Sequence, residues 1–164
     1  MIAIGVDSGS LRTGYGVVRG AGNRSRCLAY GVIRLQPSAP HPERLAAIHR
    51  GLKDLIREHR PDVLALEGAF FSVNAQSALK LGQVRGAVMV TAFMEGLEVR
   101  EYSPAEVKAA VTGHGRAAKE QVQRMVKALL GLEAIPEPHD AADALALALC
   151  AIARSGWDAK VGPR

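Results

Sequence analysis

Residues 1–35 read MIAIGVDSGS LRTGYGVVRG AGNRSRCLAY GVIRL, and this stretch decides the fold. Its first seven residues form an apolar run that is typical of a buried strand and that ends at Asp7. Residues 14–19 and 27–35 have the composition of two further strands, and a glycine-rich turn joins them. The stretch therefore predicts an antiparallel meander of three strands.

The rest of the chain alternates helical patterns with two more strands. Strands are predicted at 62–67 and 97–102, and helices at about 43–59, 75–95, 103–112, 117–130 and 139–154. A meander followed by helical crossovers predicts an α/β fold with a five-stranded mixed sheet and helices on both faces. We expect one domain over residues 1–155, followed by a short, flexible basic tail over 156–164.

Composition limits the classes of protein to which the chain can belong. It has 164 residues, 48% of them hydrophobic, and a formal net charge of +5. Its longest apolar run, residues 144–153, is too short to span a bilayer, and no signal peptide is evident. We expect a cytoplasmic protein with Cys27 and Cys150 as buried free thiols. A basic surface suits a polyanionic partner, although a basic protein without such a partner remains an alternative.

Four acidic residues lie at the edges of apolar elements. Asp7 and Glu67 each end an apolar strand, and Asp140 and Asp143 share one face at the start of an apolar helix. The carboxyl ends of parallel strands meet at one edge of a sheet, so adjacent first and fourth strands would make Asp7 and Glu67 neighbours. Clustered carboxylates repel one another unless protons or a cation neutralise them. The pattern predicts a site for hard divalent cations, which prefer oxygen ligands.

Each acid also has an ordinary structural explanation. Asp140 can cap its helix, Asp7 can stabilise the turn that follows it, and Glu67 can form an ion pair with an arginine. His139, which precedes Asp140, is either a group behind the site or a solvated residue at a helix start. The metal hypothesis therefore depends on all four acids coming together.

Several motifs resemble one bacterial family, the RuvC Holliday-junction resolvases. The resemblance covers about residues 1–153 and lies in five stretches: Gly5-Val6-Asp7-Ser8-Gly9 with Thr13-Gly14-Tyr15-Gly16, Glu67 with Phe70, Ser77 to Gly86, Tyr102 to Val126, and Asp140 to Ala146. The chain departs from the family at Ser8, where proline is usual, and some relatives carry histidine at the position of Asp140. The combination of motifs is far more specific than one acidic pair.

The resemblance implies an RNase H-like homodimeric endonuclease that cuts four-way DNA junctions symmetrically with Mg²⁺ or Mn²⁺, two ions in each site. It implies that the four acids are the catalytic metal ligands. It implies that Lys108 and Lys119 contact phosphate, Lys119 being catalytic, and that Phe70 or its neighbour Phe71 stacks on an unpaired base. RuvA and RuvB, the branch-migration proteins, are the implied partners. For either lysine alone, a solvated helix charge is the alternative.

Further contacts and other functions follow from the same residues. Four arginines are candidate DNA-backbone contacts: Arg12, Arg85, Arg116 and Arg124. The apolar residues of helix 75–95 exceed one narrow stripe, which favours a dimer interface, with core packing as the alternative. Three other functions remain open: a ribonuclease for RNA–DNA hybrids, a phosphate-binding domain of the sugar-kinase and actin kind, and a non-catalytic DNA-binding dimer.

Overall fold

The computed structural model describes residues 1–9, 11–22, 24–68 and 74–161, with side chains in the last helix as far as Gly156. The order of elements is β1 (Ile2–Asp7), β2 (Arg12–Ala21), β3 (Arg24–Arg34), α1 (His41–His59), β4 (Val63–Glu67), α2 (Ala75–Met94), β5 (Glu98–Tyr102), α3 (Pro104–Thr112), α4 (Lys119–Leu130) and α5 (His139–Val161). Among the described residues no helix is both long and apolar enough to cross a membrane.

The five strands form one mixed sheet in the order β3-β2-β1-β4-β5. The first three strands pair antiparallel as the predicted meander, and β4 then pairs parallel with both β1 and β5. Val6 of β1 is paired with Leu66 of β4, so Asp7 and Glu67 come next to each other at the same end of the sheet. The first and fourth strands are thus adjacent and parallel, which is the condition under which the two acids become neighbours.

Helices cover both faces of the sheet and enclose two separate apolar cores, as predicted. On one face α3, α4 and α5 pack around Val126 and Leu145; on the other, α1 and α2 pack around Ile48 and Val88. Each face of the sheet is thus removed from water, which allows β1 and β4 to be apolar on both sides.

The helix α5 lies unusually close to the strands beneath it. A Cβ atom added at Gly5 of β1 would lie 1.9 Å from the Ala144 carbonyl oxygen, and one added at Gly16 of β2 would lie 2.7 Å from the Leu145 nitrogen. Only glycine permits this approach. The short glycine contacts fix where the first turn of α5 stands above the end of the sheet.

Several element boundaries differ from the sequence prediction. The helix α5 continues to Val161, where a flexible tail was predicted from residue 156, because no proline interrupts the chain before Pro163. The helix α4 begins at Lys119 rather than near Ala117, after an extended Ala118. Strands β2 and β3 are each longer than predicted, because they form a continuous hairpin. Cys150 is buried as predicted, whereas Cys27 is only partly buried, and both thiols are free.

Candidate active site

Two acids stand at the carboxyl ends of the central parallel strands. Asp7 ends β1 and Glu67 ends β4, and both side chains are partly exposed at this edge. The strands end here because the apolar runs end here: the next residues, Ser8 and Gly68, lie outside the regular sheet. The sheet thus brings together two carboxylates that are 60 residues apart in the chain.

The first turn of α5 adds the other two acids. Gly14, which pairs with Asp7 across β1 and β2, lies against Asp140, and an added Cβ atom there would lie 2.9 Å from Asp140 Cβ. Asp143 follows one turn later and, with Asp7 and Glu67, lines a cavity of about 260 Å³. The remaining residues that line it are Pro104, Val107, Lys108, Lys119, Val122, Ala146 and Leu147. Asp140 stands beside this cavity, above β2.

Burial and mutual repulsion raise the affinity of two of these acids for protons. Burial first, and then the Asp143, Asp140 and Glu67 carboxylates, raise the pKa of Asp7 to about 7. Burial and Asp143 also raise the pKa of Glu67, against the opposing influence of Arg85. An acid cluster held this way binds cations or protons more readily than isolated carboxylates do.

Two basic side chains already pair with the acids of α5. The Lys119 ammonium donates a hydrogen bond to Asp143, with 2.8 Å between Nζ and Oδ2. That bond raises the pKa of Lys119. The Arg12 guanidinium lies 3.6 Å from Asp140, measured from Nε to Oδ2. Lys119 and Arg12 are both largely exposed, so each can turn toward another anion without leaving the protein interior.

The chemistry of the site fits hard divalent cations, since all four acids offer oxygen ligands at one edge of the sheet. Within the described part of the chain, no three acidic, histidine or cysteine side chains stand close enough together to hold one ion as they are placed. The carboxylates of Asp140 and Asp143 would therefore have to rotate away from Arg12 and Lys119 to share an ion with Asp7.

The other predicted contact residues surround this edge unequally. Lys108 of α3 lines the cavity, and α3 is fixed there by a capping box between Ser103 and Glu106. Arg116 is exposed in the loop before α4, whereas the Arg124 side chain donates back to the Glu120 carbonyl of its own helix. The two predicted stacking rings, Phe70 and Phe71, lie outside the described residues.

Arg85 differs from the other predicted DNA contacts because it points inward. Its guanidinium donates to the main-chain carbonyl of Glu67 and pairs with Glu101 of β5. Sequence reasoning identified Arg85 only as a candidate contact to the DNA backbone, and it did not identify Glu101 at all. Nothing in the spacing of one arginine on a helix distinguishes these roles.

Sequence reasoning also left His139 without a role. In the structure His139 Nδ1 lies 2.8 Å from Nε2 of Gln123, which is buried on α4. This contact ties the start of α5 to the helix that carries Lys119. A signal for it exists in the sequence: Gln123 falls at helical spacing with the apolar Val126 and Leu130, where a polar residue needs a partner.

Comparisons with known proteins match this chain to one protein family over nearly its whole length. The family model described as crossover junction endodeoxyribonuclease RuvC matches residues 3–151. The RuvC protein of Chlorobium phaeovibrioides is 53% identical over 161 residues, which is 98% of this chain and 85% of the relative. The RuvC protein of Desulforamulus reducens is 43% identical over 164 residues, covering 100% of this chain and 99% of the relative.

Solved structures agree with the sequence comparisons. The Thermus thermophilus RuvC structure superposes with a TM-score of 0.86 at 42% identity, over 95% of this chain and 97% of that one. The same Thermus protein in complex with a Holliday junction substrate gives a TM-score of 0.89 at 41% identity, covering 95% and 96%. The yeast mitochondrial Holliday junction resolvase Ydc2, 13% identical with a TM-score of 0.67 over 94% of this chain and 80% of that one, shares the fold.

These matches confirm the predicted RNase H-like architecture and the resemblance read from the motifs. The matched residues include both strand-end acids, Asp7 and Glu67, and both acids of α5, Asp140 and Asp143. The chain belongs to the RuvC family of crossover junction endodeoxyribonucleases.

Proposed function

We propose that this protein is a metal-dependent endonuclease that resolves four-way DNA junctions by paired, symmetric phosphodiester cleavage. The observation that carries the proposal is the convergence of four acids at one sheet edge in a chain of the RuvC family. A Holliday junction is the substrate bound by the similar Thermus protein. The same fold alone would also suit a ribonuclease, so the substrate is tested directly below.

The four acids are proposed as the ligands of Mg²⁺ or Mn²⁺, with two ions in each site. Two such ions, when bound, activate a water and stabilise the leaving oxygen of a phosphodiester. The protein's own contribution is to hold Asp7 and Glu67 on rigid strand ends and to bring Asp143 over them on α5. The raised pKa of Asp7 supports this assignment, because a carboxylate cluster of this kind calls for a compensating cation.

Lys119 and Lys108 are proposed to bind the phosphates beside the site. Lys119 spans the distance from α4 to Asp143, and its ammonium becomes available to a phosphate when Asp143 turns toward a metal ion. Lys108 lines the same cavity from α3. Arg12 and Arg116 are exposed at the surrounding surface and are proposed as contacts to the DNA backbone.

A ring that stacks on an unpaired base is proposed at Phe70 or Phe71, which follow Glu67 by three and four residues. Stacking of a base on an aromatic side chain contributes about 1–3 kcal/mol per base. The position suits a role in opening the junction, because it is covalently close to the end of β4.

A homodimer is proposed through the outer face of α2. Val84 and Val88 face the core, whereas Val90, Phe93 and Met94 are 57%, 81% and 71% exposed. Large apolar side chains grouped on one exposed helix face mark an interaction surface. A two-fold dimer would place two active sites at a fixed separation, which paired cleavage of a four-way junction requires.

We further propose that residues 1–155 form the nuclease domain, that the protein acts in the cytoplasm, and that it works with the branch-migration proteins RuvA and RuvB. Membership of the RuvC family supports all three proposals. The domain bounds are also supported by the two apolar cores, which together include residues from β1 to α5.

The decisive experiment compares wild type with Asp7→Asn on a synthetic four-way junction. We expect wild type to cut two opposing strands with Mg²⁺ or Mn²⁺ and to be inactive in EDTA. Asp7→Asn should lose at least about 1,000-fold in cleavage rate because the charge of one proposed metal ligand is gone. Junction binding in EDTA should be retained.

Two controls make the result specific. Asp54→Asn changes an exposed acid on α1 and should cut like wild type. Linear duplex and an RNA–DNA hybrid of matched sequence test the substrate: preferred cleavage of the hybrid would favour a ribonuclease. Binding without any metal-dependent cleavage would favour a non-catalytic DNA-binding dimer.

A further inference from the structure

Arg85 of α2 makes two contacts that converge on the end of the sheet. One guanidinium nitrogen, Nη1, donates to the main-chain carbonyl oxygen of Glu67. The other, Nη2, lies 3.1 Å from the Glu101 carboxylate of β5. The Arg85 side chain is only 17% exposed, whereas that of Glu101 is 40% exposed, so the guanidinium is better shielded from water than its carboxylate partner. Arg85 thus spans from α2 to the ends of two adjacent strands.

The surroundings of Arg85 separate it from the face that would meet DNA. Arg85 does not line the 260 Å³ cavity that contains Asp7, Glu67 and the two lysines. It lines instead, with Asp7, Ser8 and Glu67, a cavity of about 20 Å³. That volume is large enough for one water molecule and far too small for a nucleotide. Arg85 therefore faces the back of the acid cluster.

The fork of a guanidinium suits this position. It is planar, always charged and able to hold two acceptors at a fixed angle, which a lysine ammonium cannot do. Just beyond Glu67, the Gly68 amide donates to the Tyr102 carbonyl oxygen at 2.7 Å. Arg85 and this bond restrain the main chain on both sides of the Glu67 carbonyl, so the carboxylate can move only by rotation about its own side-chain bonds.

We propose that Arg85 is a positioning residue for the metal site, one that holds Glu67 through its main-chain carbonyl with Glu101 as the anchor. The inference rests on the proposed function, because it assigns Glu67 to the metal. It replaces the sequence-based interpretation of Arg85 as a contact to the DNA backbone. Groups behind a metal ligand commonly change metal affinity by about 10–100-fold when removed.

The test measures metal binding and DNA binding separately. For Arg85→Met we expect Mn²⁺ affinity without DNA, measured by electron paramagnetic resonance, to fall by about 10-fold or more. The Mg²⁺ concentration for half-maximal junction cleavage should rise by the same factor, while the rate at saturating Mg²⁺ changes less. Junction affinity in EDTA should stay within about 2-fold. The Mn²⁺ affinity of Arg85→Lys should lie between those of wild type and Arg85→Met, because an ammonium reaches only one of the two acceptors.

Matched variants keep the result interpretable. Arg57→Met breaks another arginine–glutamate pair at the opposite end of α2, with Glu95, and should leave metal affinity unchanged. Glu101→Gln leaves Arg85 in place and weakens only its anchor, so it gives the answer if Arg85→Met does not fold. We expect a smaller loss of Mn²⁺ affinity for Glu101→Gln, in the same direction.

Other outcomes would overturn the proposal. Weaker junction binding with unchanged Mn²⁺ affinity would make Arg85 a DNA contact, and unchanged values throughout would make its ion pair incidental. Failure of wild type to cut any junction would refute the proposed function. The Mn²⁺ titrations of Arg85→Met and Glu101→Gln would still decide whether Arg85 supports a metal site.

Discussion

The helices α5 and α2 are both long and apolar, but they cover their faces of the sheet in opposite ways. The backbone of α5 presses on Gly5 and Gly16 at distances that no other residue would tolerate. The helix α2 buries one stripe and leaves large apolar side chains such as Phe93 on the outside. The contrast separates two arrangements: the close packing of α5 fixes Asp140 and Asp143 in place, and α2 leaves the apolar surface of the proposed dimer interface uncovered.

The largest effect should follow from disturbing the close packing of α5. Gly5→Ala places a Cβ atom 1.9 Å from the Ala144 carbonyl oxygen and 2.7 Å from the Ala148 nitrogen, so α5 must shift. We expect the free energy of unfolding, measured by urea denaturation, to fall by at least about 3 kcal/mol. Residual protein should also lose cleavage, because Asp140 and Asp143 move with the helix.

The matched glycine-to-alanine replacement on α2 should stabilise the protein rather than destabilise it. A Cβ atom added at Gly82 meets nothing within 4 Å, and alanine favours the helical backbone. Gly82→Ala should raise the free energy of unfolding by about 0.5–1 kcal/mol. Similar losses at Gly5 and Gly82 would contradict the contrast between the two helices.

The second effect concerns the outer face of α2. Phe93→Glu puts a charge in the proposed interface, so the dimer dissociation constant from analytical ultracentrifugation should rise by at least about 30-fold, or 2 kcal/mol. Because Phe93 is 81% exposed, the unfolding of the monomer itself should hardly change. Paired cleavage should give way to single nicks.

A charge reversal on α1 serves as the control for Phe93→Glu. Arg50→Glu alters an exposed residue of α1 and should leave the dimer intact. A Phe93→Glu protein that sediments as wild type does would remove α2 as the interface.

The smallest effect is electrostatic. The free energy of unfolding should change with pH in opposite directions for Asp7, at the active-site edge, and for Glu95, beside α2. In metal-free protein the pKa of Asp7 is raised to about 7, so between about pH 4 and pH 7 the folded state binds more protons than the unfolded state. The free energy of unfolding should therefore fall as pH rises through this window. Because Asp7 is partly exposed, solvent screens part of the effect. We therefore expect a loss of about 1–2 kcal/mol, which is less than the free energy that the whole pKa shift would give.

Replacing Asp7 and replacing Glu95 should change the pH dependence of the free energy of unfolding in opposite directions. Asp7→Asn should remove the loss of stability toward pH 7, measured by urea denaturation in EDTA. The Arg57 hydrogen bond lowers the pKa of Glu95 beside α2, so Glu95 stabilises the protein above its unfolded pKa and the gain disappears as pH falls. Glu95→Gln should remove that gain. Parallel profiles for the two variants would contradict the assigned signs.

The sequence predicted the parts of this molecule that depend on local pattern. Asp7 and Glu67 could be placed at strand ends because apolar runs stop at them, and the shared face of Asp140 and Asp143 follows from helical spacing. The strand patterns predicted the antiparallel meander, and the motifs pointed to the family, whereas the order of all five strands came from the structure.

What escaped prediction depends on tertiary contacts between distant residues. The inward direction of Arg85 requires the position of β5, and the bond between Gln123 and His139 requires the packing of α4 on α5. The helix α5 continues past its predicted end near residue 154, because the glycine at position 156 is tolerated within a helix. Charge and glycine patterns alone do not resolve such cases.

The chain order of the four acids has a consequence during protein synthesis. Asp7 and Glu67 are made early, but α5, which supplies Asp140 and Asp143 and covers one face of β1 and β2, is made after every strand of the sheet. A ribosome-bound chain that has not yet reached His139 contains two of the four acids and leaves that face open. The proposed nuclease is therefore assembled only when translation has passed through α5, and fragments released earlier carry no complete site.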